Sequence, residues 1–154
     1  MRVIVTGASG LLGSTLTQTI IEQRPDWELT GVSRQEPRNL SPKQWLSLDL
    51  TQTEAVRREI VKINPDAIIH CAALSQPDVC EKKPDEAWAA NYIAARNIAL
   101  ACDRFDTELI HLSTDQVFYG LNPAQTHDEY AEPASGNVYG ETKISAERFI
   151  RDHL

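Results

Sequence analysis

Long apolar runs are missing from this 154-residue sequence. Its most hydrophobic stretch, Ala67-Ile68-Ile69-His70-Cys71-Ala72-Ala73-Leu74, is interrupted by a histidine and falls far short of the ~20 residues that a membrane-crossing helix needs. A leader segment is lacking too, because the apolar Val3-Ile4-Val5 starts almost at Met1, so the expected location is the cytoplasm. Cysteine is scarce. Cys71, Cys80 and Cys102 are odd in number and hold no metal-finger spacing, which excludes a disulfide framework and predicts free, mostly buried thiols. Positive charge is in deficit, with 15 Lys+Arg against 22 Asp+Glu. A net charge of -7 argues against nucleic acid and against an anionic membrane surface as partners. Metal ligands are also thin. His70 and His111 fall on adjacent predicted strands and could meet, but no third ligand stands at useful spacing, so no metal site is expected. What remains is an ordinary globular balance, 42% hydrophobic and 24% charged, enough for one domain with a real core.

Strand and helix patterns alternate along the chain. Arg2–Thr6 reads as a short buried strand, and Leu12, Leu16 and Ile20 then recur at helical spacing. Trp27–Ser33 is a second strand. A polar connection over 34–44, with Pro37 and Pro42, leads to a short third strand at Trp45–Leu48. Thr51-x-x-Glu54 has the capping-box pattern, opening a helix with Val56, Ile60 and Ile63 on one face and Asn64-Pro65 at its end. Ala67–Cys71 is a fourth strand. A long helix from Asp85 aligns Trp88, Tyr92, Ala95, Ala99 and Cys102. Glu108–Leu112 is a fifth strand, followed by a loop with Pro123 and Pro133 and by a last helix from about Asn137. Alternating helices and continuous apolar strands predict a doubly wound, parallel α/β sheet of the Rossmann type. The three tryptophans read as packing residues, and the acidic Asp78, Glu81 and Glu86 as a solvated helix start.

The run Thr6-Gly7-Ala8-Ser9-Gly10-Leu11-Leu12-Gly13 sits between the first strand and the first helix. In that position Gly7 permits the tight turn, Gly10 the approach of a pyrophosphate, and Gly13 close packing of helix on sheet. The helix N-terminus offers free N–H groups to phosphates. Ser9, Leu11 and Leu12 belong to the same candidate cofactor loop. The second strand ends Ser33-Arg34 instead of in an acid. A hydroxyl followed by a guanidinium, with Arg38 close in sequence, suits a 2′-phosphate, so NADP is expected over NAD, which stays open.

Tyr139-Gly140-Glu141-Thr142-Lys143 places a phenol and an ammonium at i and i+4, on one helix face. The lysine charge is expected to lower the tyrosine pKa and ready it for proton transfer. Thr114, just beyond the fifth strand, faces the crevice at the carboxyl ends of the strands.

With these residues in view, the chain resembles an extended short-chain dehydrogenase/reductase of the dTDP-4-dehydrorhamnose reductase family. The segments that carry the likeness are TGASGLLG at 6–13, HCAA at 70–73, PDVCE at 77–81, LSTDQVF at 112–118 and NVYGETKISAE at 137–147. The resemblance implies that Thr114 holds the substrate carbonyl, Tyr139 donates the proton, and Lys143 holds the ribose hydroxyls. It also places Asp49 and Leu50 beside the adenine, and Ala72 and Ala73 close along the cofactor. The implied chemistry is reduction by NAD(P)H at C4 of a 4-keto-6-deoxy sugar nucleotide.

Two features depart from the family pattern. Gln116 stands where the family has tyrosine, and family chains are about twice as long, with their substrate-binding part after the tyrosine helix. Residues 1–154 are therefore expected to be the dinucleotide-binding domain of a longer chain, inactive alone, or a truncated relative. The expected ligand is a sugar nucleotide, and a homodimer is left open. Two alternatives stand beside the reductase: a non-catalytic NADP-binding regulatory subunit, resembling the β subunit of methionine adenosyltransferase, and a sugar-nucleotide epimerase.

Overall fold

The computed structural model describes residues 1–41, 44–121, 126–128 and 130–154. Pro42 and Pro123 lie outside the described residues. Five strands form one sheet: β1 (Arg2–Thr6), β2 (Glu28–Ser33), β3 (Trp45–Ser47), β4 (Ala67–His70) and β5 (Glu108–His111). Their order is β3-β2-β1-β4-β5 and every pairing is parallel. The chain thus runs outward from β1 to one edge, then returns to lay β4 and β5 on the other side. That reversal at β1/β4 opens a crevice above the strand ends, where ligands bind in doubly wound sheets.

The helices are α1 (Leu11–Gln23), α2 (Thr53–Ile63), α3 (Pro77–Lys82), α4 (Pro84–Ala87), α5 (Ala94–Phe105) and α6 (Val138–His153). A π-helical segment, Trp88–Ile93, joins α4 to α5, and a 3-10 turn spans Asp115–Phe118. Two apolar layers cover the sheet. On one face Ile4, Val32 and Ile68 pack with Val56 and Ile60 of α2 and Ile98 and Cys102 of α5. On the other, Val3, Val5 and Leu29 pack with Ile20 of α1. Strands buried on both sides need the uninterrupted apolar runs that the sequence carries. Among the described residues, no helix is long and apolar enough to cross a membrane. All three cysteines are free thiols, with Cys80 and Cys102 buried.

Three local expectations differ from the structure. Helix α1 buries Ile20 and half-buries Leu16 as expected, but it turns Gly13 and Thr17 inward and leaves Leu12 exposed. The close approach of Gly13 to the glycine turn turns this face inward. The capping box is absent, because the Thr51 N–H and hydroxyl both bond to Asp49 Oδ1 and α2 starts after Gln52 with no side-chain cap. The long fourth helix is not uniform either. Ala95, Ala99 and Cys102 are buried as expected, but in the π segment before them Asn91 is buried while Tyr92 is half-buried and Trp88 exposed.

Candidate functional site

The glycine turn is built around two positions that accept no side chain. Gly7 has φ +68, and a Cβ there would lie 2.8 Å from the Ala72 nitrogen, so the turn presses against the end of β4. A Cβ on Gly13 would fall 2.2 Å from the Gly7 oxygen, which brings the first turn of α1 directly against the loop. The Gly10 N–H donates to the Gly7 carbonyl at 2.8 Å. Helix α1 has glycine at its N-cap, no side-chain cap and no acid in its first turn. Its leading N–H groups therefore face outward with nothing competing for an anion, which is the arrangement a pyrophosphate needs.

A cleft of about 770 Å³ opens beside this turn, within the range of small-molecule sites. Gly7, Ser9, Gly10, Ser33, Arg34, Asp49, Leu50, Ala72 and Ala73, all predicted cofactor residues, line it together. Leu11, Leu12 and Gly13 do not. Leu11 and Leu12 are exposed, and Gly13 is buried against the turn. The wall also carries residues that the sequence reading did not assign to the cofactor: Gln35, Thr51, Cys71, Leu74, Glu86, and Ala89 and Ala90 of the π segment. Small alanines facing a cleft are the one sequence signal that could have marked the last two.

At the β2 end, Arg34 shares the wall with Asp49, and its charge helps hold the Asp49 carboxyl below the usual range, after the larger effect of the Thr51 hydrogen bonds. Arg38 is not on this wall. Ser33 is otherwise engaged. Its hydroxyl donates to the Gln35 carbonyl at 2.6 Å and accepts from Trp45 Nε1 at 3.1 Å. Ser33 therefore shapes the strand tip, and among the described residues Arg34 is the cation on this wall.

Thr114, Tyr139 and Lys143 gather at the β5 end, off the main cleft wall. Asn137 caps α6 by accepting from the Gly140 N–H at 2.8 Å. Its amide nitrogen also donates to Gln116 Oε1 at 3.1 Å, which ties the Thr114 turn to the start of the tyrosine helix. The expected solvated helix start at α3 has a further role, since Glu81 Oε1 accepts from the Val138 N–H at 2.6 Å. In the π segment, Asn91 bonds both the N–H and the carbonyl of Leu74 and donates to Thr142 Oγ1, locking that segment to α6.

The electrostatics differ from expectation at Tyr139. Burial pushes the phenol pKa up, the Thr114 hydroxyl pulls it down, and Lys143 is not among the acting charges. The reason is visible in the lysine itself. Lys143 is 2% exposed, and its ammonium donates to the Leu112 carbonyl at 2.5 Å and meets His111 Nε2 at 3.1 Å. Burial lowers its pKa to about 8, opposed by Glu147 and Cys71. The two strand histidines do meet, with ring centroids 5.3 Å apart. Among the described residues no group of metal-binding side chains forms.

A family model described as the RmlD substrate binding domain matches residues 1–154. Methionine adenosyltransferase 2 subunit beta of Rattus norvegicus is 36% identical over 152 residues, covering 99% of this chain and 43% of the relative. The probable low-salt glycan biosynthesis reductase Agl14 of Haloferax volcanii is also 36% identical over 152 residues, covering 99% of this chain and 49% of the relative. Among solved structures, dTDP-4-dehydrorhamnose reductase from Bacillus anthracis in complex with NADP superposes with a TM-score of 0.82 at 36% identity, covering 99% of this chain and 49% of that one. The chain spans less than half the length of these relatives.

Proposed function

From the premise that the chain belongs to the RmlD substrate-binding domain family, we propose that it is the dinucleotide half of an NADPH-dependent reductase acting on a 4-keto-6-deoxy sugar nucleotide. The observation that carries this reading is the presence, at the carboxyl end of the sheet, of an uncapped α1 N-terminus, a cleft sized for a small ligand, and a Thr114–Tyr139 pair with Lys143 one turn along the same helix. The residues fit the cofactor. Gly7, Ser9 and Gly10 would hold the pyrophosphate, Arg34 the 2′-phosphate, Asp49 and Leu50 the adenine side, and Ala72 and Ala73 the path between. The NADP in the Bacillus anthracis relative supports NADP over NAD.

NADPH supplies a hydride when bound. The chain's own residues handle the rest. Tyr139 donates its phenol proton to the carbonyl oxygen as negative charge develops there. A phenol whose pKa is raised by burial keeps that proton at neutral pH, which suits a donor. Thr114 hydrogen-bonds the same oxygen and aligns it. Lys143 would hold the ribose hydroxyls of the bound cofactor. The residues that read the sugar belong to the remainder of a longer chain.

A second reading is supported by the 36% identity to a subunit named for methionine adenosyltransferase: a dinucleotide-binding regulatory subunit without turnover. One assay separates the two. NADPH absorbance is followed on mixing the full gene product with a 4-keto-6-deoxy sugar nucleotide. Substrate-dependent oxidation is the expected result. Tight NADPH binding with no oxidation across several 4-keto sugar nucleotides overturns the reductase reading.

A further inference from the structure

Behind the Lys143 ammonium runs a buried line of polar groups that the proposed reaction does not use. Thr6 Oγ1 sits 2.6 Å from His70 Nδ1 and also accepts from the Ala72 N–H. The His70 ring stacks on His111 at an interplanar angle of 29°. His111 Nε2 then meets Lys143 Nζ. The line crosses the ends of β1, β4 and β5 and finishes on α6. It begins one residue before Gly7. His70 Nε2 and His111 Nδ1 are buried and find no partner among the described residues.

We propose that His111 is a positioning residue for Lys143, its Nε2 lone pair and the Leu112 carbonyl together fixing two of the three ammonium N–H bonds and leaving the third for a ligand hydroxyl. An ammonium has donors and no acceptor, so the ring nitrogen it meets must carry the lone pair. His111 is then neutral, with its proton on Nδ1. A buried position beside a positive charge enforces neutrality, and His111 is held down to about 3, by burial first and Lys143 second. His70 backs the ring and is itself neutral for the same reasons. The other ionisable groups acting on Lys143 are Cys71, beyond β4, and Glu147, one turn along α6. Glu147 is partly occupied, accepting the Ser113 hydroxyl. This leaves the His111 acceptor as the side chain that orients the ammonium.

The inference rests on the reading of Lys143 as a ligand-holding group, and its test does not need turnover. Long-range ¹⁵N NMR of histidine-labelled protein reports the tautomer directly. The Nδ1–H form of His111 is expected, and an Nε2–H form overturns the proposal. Titration of the Lys143 Cε resonance gives a second readout. In His111→Leu the midpoint falls by about one pH unit, because a buried ammonium loses an acceptor. In His111→Gln, whose amide oxygen reaches the same point, the midpoint returns to the wild-type value. An unchanged midpoint in His111→Leu, or one equally low in His111→Gln, overturns it. Where the leucine variant does not fold, the tautomer and His111→Gln decide. In an active enzyme the alkaline limb of kcat moves with the lysine midpoint. Finding the Nδ1–H tautomer in an enzyme without reductase activity refutes the reductase reading alone. Finding Nε2–H in an active enzyme refutes this inference alone.

Discussion

At the scale of single residues, the proposed preference for NADP rests on Arg34. Ser33 is tied to Gln35 and Trp45, so the guanidinium on the cleft wall is what can meet a 2′-phosphate. Charge-assisted hydrogen bonds contribute about 1.5–3 kcal/mol. Arg34→Ala is therefore expected to weaken NADP binding about tenfold or more and to leave NAD nearly untouched, as isothermal calorimetry would show. Equal losses for both cofactors would remove Arg34 from the site. Much of this level was legible beforehand, because glycines, tyrosine, lysine and threonine carry their chemistry in their identity. What was not legible was which groups are already engaged. The Ser33 hydroxyl and the Lys143 ammonium are taken up by partners 2 and 32 residues away, and no spacing rule reports that.

At the scale of elements, strand and helix order followed from the hydrophobic pattern, since parallel strands buried on both faces leave long apolar runs. The deviations arise where local and tertiary demands disagree. Helix α1 turns a glycine and a threonine inward in preference to Leu12 because Gly13 must contact the glycine turn. The π segment has no sequence mark, yet it places Asn91 against Leu74 and Thr142 and sets Ala89 and Ala90 on the cleft. A direct prediction concerns the first of these. Gly13→Ala puts a methyl where the Gly7 carbonyl stands, and α1 must move away from the turn. Overpacking of this kind costs about 1–3 kcal/mol. The denaturant midpoint should fall, and NADP affinity should fall with it because the phosphate turn moves. Wild-type affinity in a stably folded Gly13→Ala protein would show that the turn and the helix are not coupled.

At the scale of the whole molecule, the buried histidines set the response to acid. Both have folded pKa values below the ordinary 6.5, so the unfolded chain takes up protons that the folded one refuses. Stability therefore falls as pH drops below about 6.5, and the fall continues toward about 3 for His111. Lys143 acts at the other end. Its lowered value makes stability rise with pH between about 8 and 10.5. Asp26, Asp49 and Asp66 start below the carboxylate value of 3.8 and so add to acid loss only at lower pH. Urea midpoints at pH 7, 5.5 and 4.5 should decline, and decline less in His111→Gln. A flat profile would mean that the imidazoles are not buried and neutral.

The central claim is that this chain supplies both the dinucleotide site and the proton donor of a reductase. The most direct test uses Tyr139→Phe in the full gene product, with kcat for a 4-keto-6-deoxy sugar nucleotide and the Kd for NADPH measured on the same preparation. The phenol acts only as charge develops on the substrate oxygen. The account therefore predicts a loss in kcat of about 10²–10⁴-fold with NADPH affinity unchanged. A variant that keeps more than about half of the wild-type kcat, or that loses NADPH binding together with activity, would contradict it.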